Sequence, residues 1–312
     1  MIPGAVGGFV AARLGLPLPY LLGGMASVAA VAIVLTARGM SVAFPQSVRR
    51  PGVGRIGTMI GATFTPGMMA VIPSLWISLL AMVLFAAVAY ALSYVIYTRL
   101  GRYDRVTAAY AAMPGGLIEA VSLGTEAGAD ARLLSVQHFA RIVIVATLGP
   151  MGVWLWDGST VGSAAGQMLS VRAAGLSDLA VIVATTALGL WLGPRLRFPA
   201  AHLMGPMVLS AVVHGSGVWS TVSPIWLLNL AQLVVGTGRG AMFGGATLAM
   251  LARAFGYGTL VVVLMLVITV AFALGLAQVL PLPIETLIIS FAPGGVTEMS
   301  LIALSLGASP VL

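Results

Sequence analysis

Long apolar stretches dominate the chain, and proline, glycine and arginine interrupt them without any regular polar period. Residues 56–98 contain no Asp, Glu, Lys or Arg, and residues 198–238 contain none either. Each stretch is long enough for two membrane-spanning helices at roughly 20 residues per crossing. The pattern predicts helices in the first half at 3–13, 18–37, 53–70, 73–98, 106–124 and 133–154. In the second half it predicts helices at 176–193, 200–214, 225–244, 257–280 and 286–305.

The composition supports this interpretation. Charged residues make up 7% of the 312 positions and hydrophobic residues 60%, with a mean hydropathy of +1.08. A soluble domain carries about 25% charged residues. We therefore expect an all-α polytopic protein of the bacterial inner membrane, with the lipid bilayer as its main partner. No basic segment or small-residue cleavage site follows Met1, so we expect no removable signal peptide.

The net charge of +7 does not point to nucleic acid. All fifteen basic residues are arginine, and in a membrane protein arginines chiefly set the orientation of the helices. We therefore expect no nucleic-acid partner. The chain has no cysteine, which excludes disulfides, iron-sulfur clusters and thiolate metal sites.

Two pairs of similar segments predict an internal duplication. MPGGLIEA at 113–120 resembles APGGVTEM at 292–299, and ARLGLPLPYLLGGM at 12–25 resembles PRLRFPAAHLMGPM at 194–207. A weaker match aligns MIGATF at 59–64 with VVGTGR at 234–239. Similar spacing of such pairs is typical of a repeat of the whole unit. The predicted division is a first repeat at 1–155, a linker at 156–173, and a second repeat at 174–312 that lacks a counterpart of the helix at 133–154.

Arginine positions predict that the two repeats are inserted upside down relative to each other. The loops expected at 38–55 and 99–105 contain seven arginines, whereas their counterparts at 215–224 and 281–285 contain none. Loops with arginine stay cytoplasmic by the positive-inside rule. We therefore expect two inverted repeats of about five helices, with Met1 cytoplasmic.

Each repeat contains a Pro-Gly-Gly sequence that should break a helix at membrane depth. Proline lacks an N–H group and glycine has low helix propensity. An unwound backbone within a membrane is tolerated where it lines a cavity, and its free polar groups can bind an ion or solute. The predicted binding residues are Pro114, Gly115, Gly116 and Glu119 in the first repeat and Pro293, Gly294, Gly295 and Glu298 in the second. Alternatively, each glutamate only caps the helix that restarts after the break.

Several further polar residues could support this site. Asp130, His138 and Arg141 follow the first break, and Arg141 needs a partner, for which Glu119, Glu126 and Asp130 are available. A salt bridge that only fixes the packing is an equal alternative. Asn229 and Gln232 share one helix face and could line a cavity or bond neighbouring helices. The two lone histidines His202 and His214 have no ligand spacing, so no metal site is expected, and the absence of a Walker loop or HExxH motif predicts no cofactor.

The doubled Pro-Gly-Gly-x-x-Glu phrase, preceded by the segments at 12–25 and 194–207, resembles the bacterial membrane AbrB family over nearly the whole chain. Members are often labelled ammonia monooxygenases or regulators of gene expression. The family is itself similar to cation-antiporter and bile-acid-symporter type transporters, which consist of inverted repeats with broken helices. The resemblance therefore implies a secondary transporter of a small solute or ion, with Glu119 and Glu298 binding a coupling proton or cation.

Two other functional classes remain open from the sequence. The first is a membrane protein that transports nothing and acts in the regulation of gene expression or as a scaffold; it would need a cytoplasmic partner surface, for which 38–55 is the candidate. The second is a membrane enzyme. Oxygen chemistry on copper or iron requires clustered histidine or carboxylate ligands, and because the sequence offers none we expect no enzyme. A homodimer is common among proteins of this architecture.

Overall fold

The computed structural model describes residues 1–16, 18–40, 42–66, 76–114, 117–157, 174–221, 223–280, 282 and 284–293. This part of the chain contains no β-strand and forms twelve α-helices. In chain order they are α1 Ile2–Arg13, α2 Pro19–Ala37, α3 Gln46–Gly61, α4 Trp76–Val95, α5 Arg105–Ala112, α6 Leu117–Glu126, α7 Ala131–Asp157, α8 Leu176–Arg195, α9 Ala201–Gly215, α10 Ile225–Gly240, α11 Leu248–Leu276 and α12 Ile284–Phe291. A π-helical segment, Ile96–Leu100, continues α4, and a 3-10 turn, Ala241–Phe243, continues α10.

Four helical segments in the described residues are long and apolar enough to cross a membrane. They are Pro19–Ala37, Trp76–Leu100, Leu176–Arg195 and Leu248–Leu276, with mean hydropathies between 1.7 and 2.8. Large apolar side chains on α4 and α11 are exposed, including Leu80, Val83 and Val267 at 62% to 69% of their surface. Such exposed apolar helix faces suit a lipid environment. The all-helical fold predicted from the sequence is therefore confirmed, and it includes four helices long and apolar enough to cross a membrane.

Two helices begin earlier than the apolar pattern predicts. Helix α3 begins at Gln46 instead of 53, after Pro45 as N-cap, and α11 begins at Leu248 instead of 257, where the Thr247 side chain accepts a hydrogen bond from the Met250 N–H at 3.2 Å. The prediction of a loop over 38–55 was therefore wrong in its second part. Arg49, Arg50 and Arg55 lie within α3, because packing against other helices overrides the loop-like composition of this segment.

The helices pack in two groups, and each group draws on both halves of the chain. Helices α1, α2 and α3 pack with α8, α9 and α10, whereas α4, α5, α6 and α7 pack with α11 and α12. Leu21, Ile56 and Leu228 are central in the core of the first group, and Tyr97, Met265 and Phe291 in the core of the second. A third cluster, which includes Met25 of α2 and Phe139 of α7, joins the groups.

Glycines bring backbones into direct contact in the first group. A Cβ atom on Gly57 of α3 would fall against the carbonyl oxygen of Leu203 in α9, and a Cβ atom on Gly236 of α10 would fall against that of Leu21 in α2. One turn later, a Cβ atom on Gly61 would fall against the carbonyl oxygen of Met207, and a Cβ atom on Gly240 against that of Met25. Only glycine fits such a close approach. Each half of the chain thus places its third helix against the second helix of the other half.

The turns that follow α1 and α8 have the same backbone geometry. Leu14 and Leu196 cap the two helices with φ/ψ of −83°/0° and −82°/1°. Leu18 and Ala200, which begin the next helices, both adopt left-handed conformations with φ of 44° and 46°. A positive φ is uncommon for residues other than glycine. The similar segments at 12–25 and 194–207 therefore share a particular fold as well as a sequence pattern.

Helices α3 and α10 also match. Each has 16 residues and follows a proline N-cap, Pro45 or Pro224. When the two helices are aligned at their last residues, 57–61 corresponds to 236–240, and both segments read Gly-Thr-x-x-Gly. The helix ends therefore favour a different register from the weaker sequence match of 59–64 with 234–239.

Candidate functional site

Two described helices end and begin on either side of the first Pro-Gly-Gly sequence. Helix α5 ends at Ala112, and Met113 leaves the helical conformation with ψ of 124°. Helix α6 begins at Leu117, so Glu119 is its third residue. Pro114 is among the described residues, whereas Gly115, Gly116 and the side chain of Glu119 lie outside them.

Helix α7 supplies two buried cationic or ionisable side chains to the end of α5. Arg141 Nη1 donates to the Met113 carbonyl oxygen at 2.7 Å, and His138 Nε2 donates to the Tyr110 carbonyl oxygen at 2.8 Å. Both side chains are buried, with 6% and 1% of their surface exposed. In a continuous helix the carbonyl of Tyr110 would accept from the residue four positions later, but Pro114 has no N–H. His138 and Arg141 therefore satisfy main-chain groups that the break releases.

Of the three carboxylates expected as partners of Arg141, Glu126 and Asp130 do not bond it, and the side chain of Glu119 lies outside the described residues. Glu126 is exposed, and Asp130 caps the start of α7 by accepting from the N–H groups of Arg132 and Leu133, both at 2.9 Å. The Asp130 N–H in turn donates to Thr107 Oγ1 at 3.0 Å. Asp130 therefore fixes the start of α7 against α5 and lies apart from the break.

The sequence interpretation missed a buried network next to this contact. Tyr103 Oη donates to Gln137 Oε1 at 2.8 Å, and Gln137 Nε2 donates to Tyr97 Oη at 3.0 Å and to the Ala254 carbonyl at 3.2 Å. The rings of Tyr97 and Tyr103 stack with centroids 5.4 Å apart. The network ties α7 to α4 and α11 and so fixes the position of Arg141, one turn further along α7.

The end of α12 is held differently. Thr269 of α11 donates its hydroxyl to the carbonyl oxygen of Phe291, the last residue of α12, at 2.9 Å. Pro293 follows, and Gly294, Gly295 and Glu298 lie outside the described residues. Of the four binding residues predicted in the second half, the structure therefore describes Pro293, together with α12 before it. Thr269 carried no signal in the sequence, because threonine in an apolar helix most often bonds its own backbone.

Asn229 and Gln232 lie on α10, in the first helix group, whereas the break at Pro114 lies in the second. Gln232 is fully buried, and neither its Oε1 nor its Nε2 has a hydrogen-bond partner in the described part of the chain. Asn229 Oδ1 is also without one there. The predicted alternative of interhelical hydrogen bonding is therefore not observed for these atoms.

The described residues contain no group of three His, Cys, Asp or Glu that could hold a metal ion. Both ring nitrogens of the buried His214 bond to protein: Nδ1 lies 2.7 Å from the Ser210 carbonyl oxygen, and Nε2 lies 2.8 Å from Thr221 Oγ1. His214 thus connects α9 with the segment that follows it, as a structural histidine does.

The fold and the broken helix define a helical membrane protein in which side chains hold an interrupted helix. The chain belongs to the family described as "Transition state regulatory protein AbrB", whose family model matches residues 20–312. It is similar to the Escherichia coli (strain K12) protein named "Putative regulator AbrB", with 24% identity over 98% of this chain and 86% of the relative. It is also similar to "Uncharacterized protein YhjN" of Bacillus subtilis (strain 168), with 24% identity over 97% of this chain and 84% of the relative. The family predicted from the sequence is confirmed.

Proposed function

We propose that the protein is a multi-pass secondary transporter of the bacterial inner membrane, which moves a small solute or ion and catalyses no reaction. The observation that carries this proposal is the interruption between α5 and α6. The buried side chains of His138 and Arg141 donate hydrogen bonds to carbonyl oxygens at the end of α5. Buried ionisable groups are rare in membrane proteins and usually mark a substrate or ion pathway. Side chains that satisfy the carbonyls before the break stabilise the interruption itself, which a site built on an unwound segment requires.

In this proposal the two breaks face each other and form one site. Glu119 lies in the first turn of α6, where the helix dipole favours a negative charge. Glu298 has the equivalent position in the sequence of the second half. The two carboxylates would bind the coupling proton or cation, and the unwound glycines at 115–116 and 294–295 would contact the solute.

The direction of the helices supports the proposal that the halves are inverted repeats. Gly236 contacts Leu21, and Gly240, four residues later in α10, contacts Met25, four residues later in α2. Helices α10 and α2 are therefore parallel. The same reasoning applied to Gly57 and Gly61 makes α3 and α9 parallel.

Helices α3 and α10 cross in opposite directions. Gly52 lies against Val234, whereas Arg55, further along α3, reaches Ser223, which precedes α10. Because α2 is parallel to α10 and α9 is parallel to α3, α2 and α9 point in opposite directions. These two helices follow the matching turns at Leu18 and Ala200, so they are counterparts in the two halves. Counterpart helices that point in opposite directions favour inverted repeats.

A regulatory function is the competing proposal, and the name of the Escherichia coli relative is its source. Such a protein needs a surface for a cytoplasmic partner. The segment 38–55 was the candidate, but its second part is helical and Arg55 is buried within the first helix group. The remaining stretch between α2 and α3 is short, which leaves little surface for a partner.

A ligand survey of the purified protein tests the site. The melting temperature is measured against pH, sodium and a panel of small metabolites for wild type and for Glu119→Gln combined with Glu298→Gln. Glu126→Gln, which alters an exposed glutamate of the same helix, is the matched control. Ligand binding to the folded state raises stability. We expect a response that the control keeps and the double variant loses; the same response in all three proteins would place binding elsewhere.

Access from both sides of the membrane separates a transporter from a regulator. Because the chain has no cysteine, single cysteines can be introduced directly at Met113 and Ala292, the residues before the two breaks. Each is labelled with an impermeant maleimide in spheroplasts and in inside-out vesicles. We expect both positions to react from both sides, and Val83→Cys on the exposed face of α4 to stay unreactive. Reaction from one side alone under every ionic condition would contradict transport.

A further inference from the structure

The turn between α8 and α9 carries an arginine where the matching turn after α1 carries a glycine. Arg197 adopts a left-handed conformation with φ of 56°, and Gly15, the corresponding residue of the first half, has φ of 67°. Glycine adopts a positive φ without steric cost, whereas this conformation is unfavourable for arginine. Because the turn keeps Arg197 against the preference of its backbone, we look for a role of its side chain.

A second arginine of the same turn is held in a fixed position. Arg195 Nη1 donates to the Trp191 carbonyl oxygen at 2.9 Å, and the guanidinium carbon lies 4.0 Å from the centroid of the Trp191 ring. Arg195, Trp191 and Arg197 are all exposed. An exposed arginine normally loses rotamer freedom when it binds a ligand. The two contacts already restrict Arg195, so its other N–H groups are preorganised for a partner.

Helix α3 brings the exposed Arg50 to the same end of the first helix group. Helix α9 is parallel to α3, and α8, joined to α9 by a short turn, runs in the opposite direction. A Cβ atom on Gly54 of α3 would lie 3.0 Å from Leu190 of α8. Arg50 is one turn before Gly54 on the same helix face, which puts it at the level where α8 ends with Arg195. The charge of Arg50 also acts on His202, in the first turn of α9. Arg50, Arg195 and Arg197 are called the arginine patch below.

No carboxylate of the first helix group lies at the level of the arginine patch. Residues 1–103 contain no Asp or Glu, and Asp178 is the one carboxylate residue in 174–284. Asp178 is in the first turn of α8, at the opposite end of that helix from Arg195. An exposed concentration of positive charge attracts anions, and arginine pairs with the oxygens of a phosphate through two parallel hydrogen bonds.

The surroundings of the arginine patch indicate where that anion comes from. Val183, Leu188 and Trp191 leave an exposed apolar face along α8, which ends at Arg195. An apolar helix face that ends in tryptophan and arginine is typical of the level where hydrocarbon meets the lipid headgroups. Arginine-rich ends face the cytoplasm, and the cytoplasmic leaflet carries anionic lipids, whose headgroups bind basic pockets between helices. A lipid offers both the phosphate and the acyl chains that this surface fits.

We propose that the arginine patch binds the phosphate of an anionic phospholipid in the cytoplasmic leaflet, whose acyl chains lie along the exposed face of α8. The proposal requires a chain that lies in a membrane and does not depend on transport at the breaks in the second helix group. It gives Arg197 a role that accounts for its unfavourable backbone conformation.

The opposite end of the first helix group provides a matched control. The positions that correspond to the three residues of the arginine patch hold Asn229, Arg13 and Gly15 there. The Arg13 guanidinium lies over the Phe9 ring, with its central carbon 4.9 Å from the ring centroid. A single stacked arginine remains in this set, so we expect no phosphate site among these three residues. Arg13→Gln therefore removes an equivalent stacked arginine outside the proposed site.

The test is a lipid titration of the purified full chain in detergent micelles. Phosphatidylglycerol is added in increasing amounts, and the melting temperature is followed by tryptophan fluorescence. Phosphatidylcholine, inorganic phosphate and polyglutamate are titrated in parallel as a lipid without net charge, a free anion and a soluble acidic polymer. The main variant is Arg197→Gly, which gives the turn the residue of its counterpart and so does not endanger folding. Arg50→Gln is the second variant and Arg13→Gln the control.

We expect phosphatidylglycerol to raise the melting temperature of wild type and of Arg13→Gln by several degrees, and phosphatidylcholine to have a smaller effect. The half-effective amount of phosphatidylglycerol should rise about fivefold in Arg197→Gly and in Arg50→Gln, which corresponds to about 1 kcal/mol per arginine. Without lipid, Arg197→Gly should be at least as stable as wild type.

Equal stabilisation of wild type by the two lipids overturns the proposal, and so does an unchanged response of Arg197→Gly to phosphatidylglycerol. Stabilisation by inorganic phosphate or by polyglutamate that matches that of phosphatidylglycerol also overturns it, because the arginine patch would then bind a soluble anion or a soluble acidic partner.

Discussion

The glycine contacts between helices allow a quantitative test of the fold. In Gly57→Ala and Gly236→Ala the new Cβ atom would fall against a main-chain carbonyl oxygen, of Leu203 or Leu21 respectively. A backbone atom cannot rotate away, so the helices must separate. Overpacking of this kind costs about 1–3 kcal/mol, and the better helix propensity of alanine offsets up to about 1 kcal/mol of this. We therefore expect each variant to lose about 1–2 kcal/mol of unfolding free energy.

Gly256→Ala is the matched control, because it lies inside α11 and a Cβ atom there meets nothing within 4 Å. Because helix propensity is the only contribution that changes, Gly256→Ala should gain up to about 1 kcal/mol of unfolding free energy. The three variants and wild type are compared by denaturant unfolding in micelles, followed by tryptophan fluorescence. Similar losses at Gly57 and Gly236 are expected because the two contacts match. A Gly57→Ala protein as stable as Gly256→Ala would refute the packing of α3 on α9.

Three further predictions concern the second helix group. Asp104→Ala removes the N-cap of α5 and should cost about 1 kcal/mol at neutral pH. Hydrogen bonds from the Thr107 side chain and backbone lower the pKa of Asp104, so this difference is present above about pH 4, the usual carboxyl pKa, and should disappear as the pH falls through the lowered value. Thr269→Val leaves the last carbonyl of α12 without its donor and should cost about 1–3 kcal/mol in the same unfolding assay. Arg141→Gln should cost a similar amount by removing the donor to the carbonyl before Pro114, whereas Arg132→Gln, at an exposed position of α7, should change stability by less than about 0.5 kcal/mol.

The parts of the fold that could be predicted are those where the sequence and the close contacts coincide. The repeated Leu-x-Gly-x-Met phrases identified α2 and α9 correctly. Leu21 and Met25 present the carbonyls that touch the glycines of α10, and Leu203 and Met207 do the same for α3. The glycine within each phrase, Gly23 or Gly205, lies against the carbonyl oxygen of Gly7 or Gly189 in the preceding helix. A larger residue does not fit there, so the phrase remains recognisable in both halves. Helix bounds there agreed within a residue or two.

The start of α3 could not be predicted for the opposite reason. Arg49, Arg50, Pro51 and Gly52 have the composition of a loop, and their helical state depends on contacts with helices far away in the sequence. The local sequence contains no information about those contacts. The burial of Arg55 could not be foreseen from it either.

The partner of Arg141 shows how far a polar site can be predicted. An arginine in an apolar helix was correctly expected to need a partner, but the candidates considered were carboxylates. Within the described residues its partner is the main-chain carbonyl of Met113, and carbonyls have no signature in a sequence. The pairing with Glu119 stays a prediction, because that side chain lies outside the described residues. One signal was available: Pro114 deprives the Tyr110 carbonyl of its helical donor, which predicts that another group must approach that end of α5.

The arginine positions support an inverted membrane topology less strongly than the sequence suggested. With Arg49, Arg50 and Arg55 inside α3, the stretch between α2 and α3 keeps Arg38 alone, and the charge difference between counterpart loops is smaller than the sequence suggested. The opposite directions of α2 and α9 supply independent support for inversion. If the repeats are inverted as proposed, a reporter fused at residue 103 reads cytoplasmic and one fused at residue 219 reads periplasmic. Two cytoplasmic readings would mean that the halves are parallel, and the two breaks could not then form one site from opposite sides of the membrane.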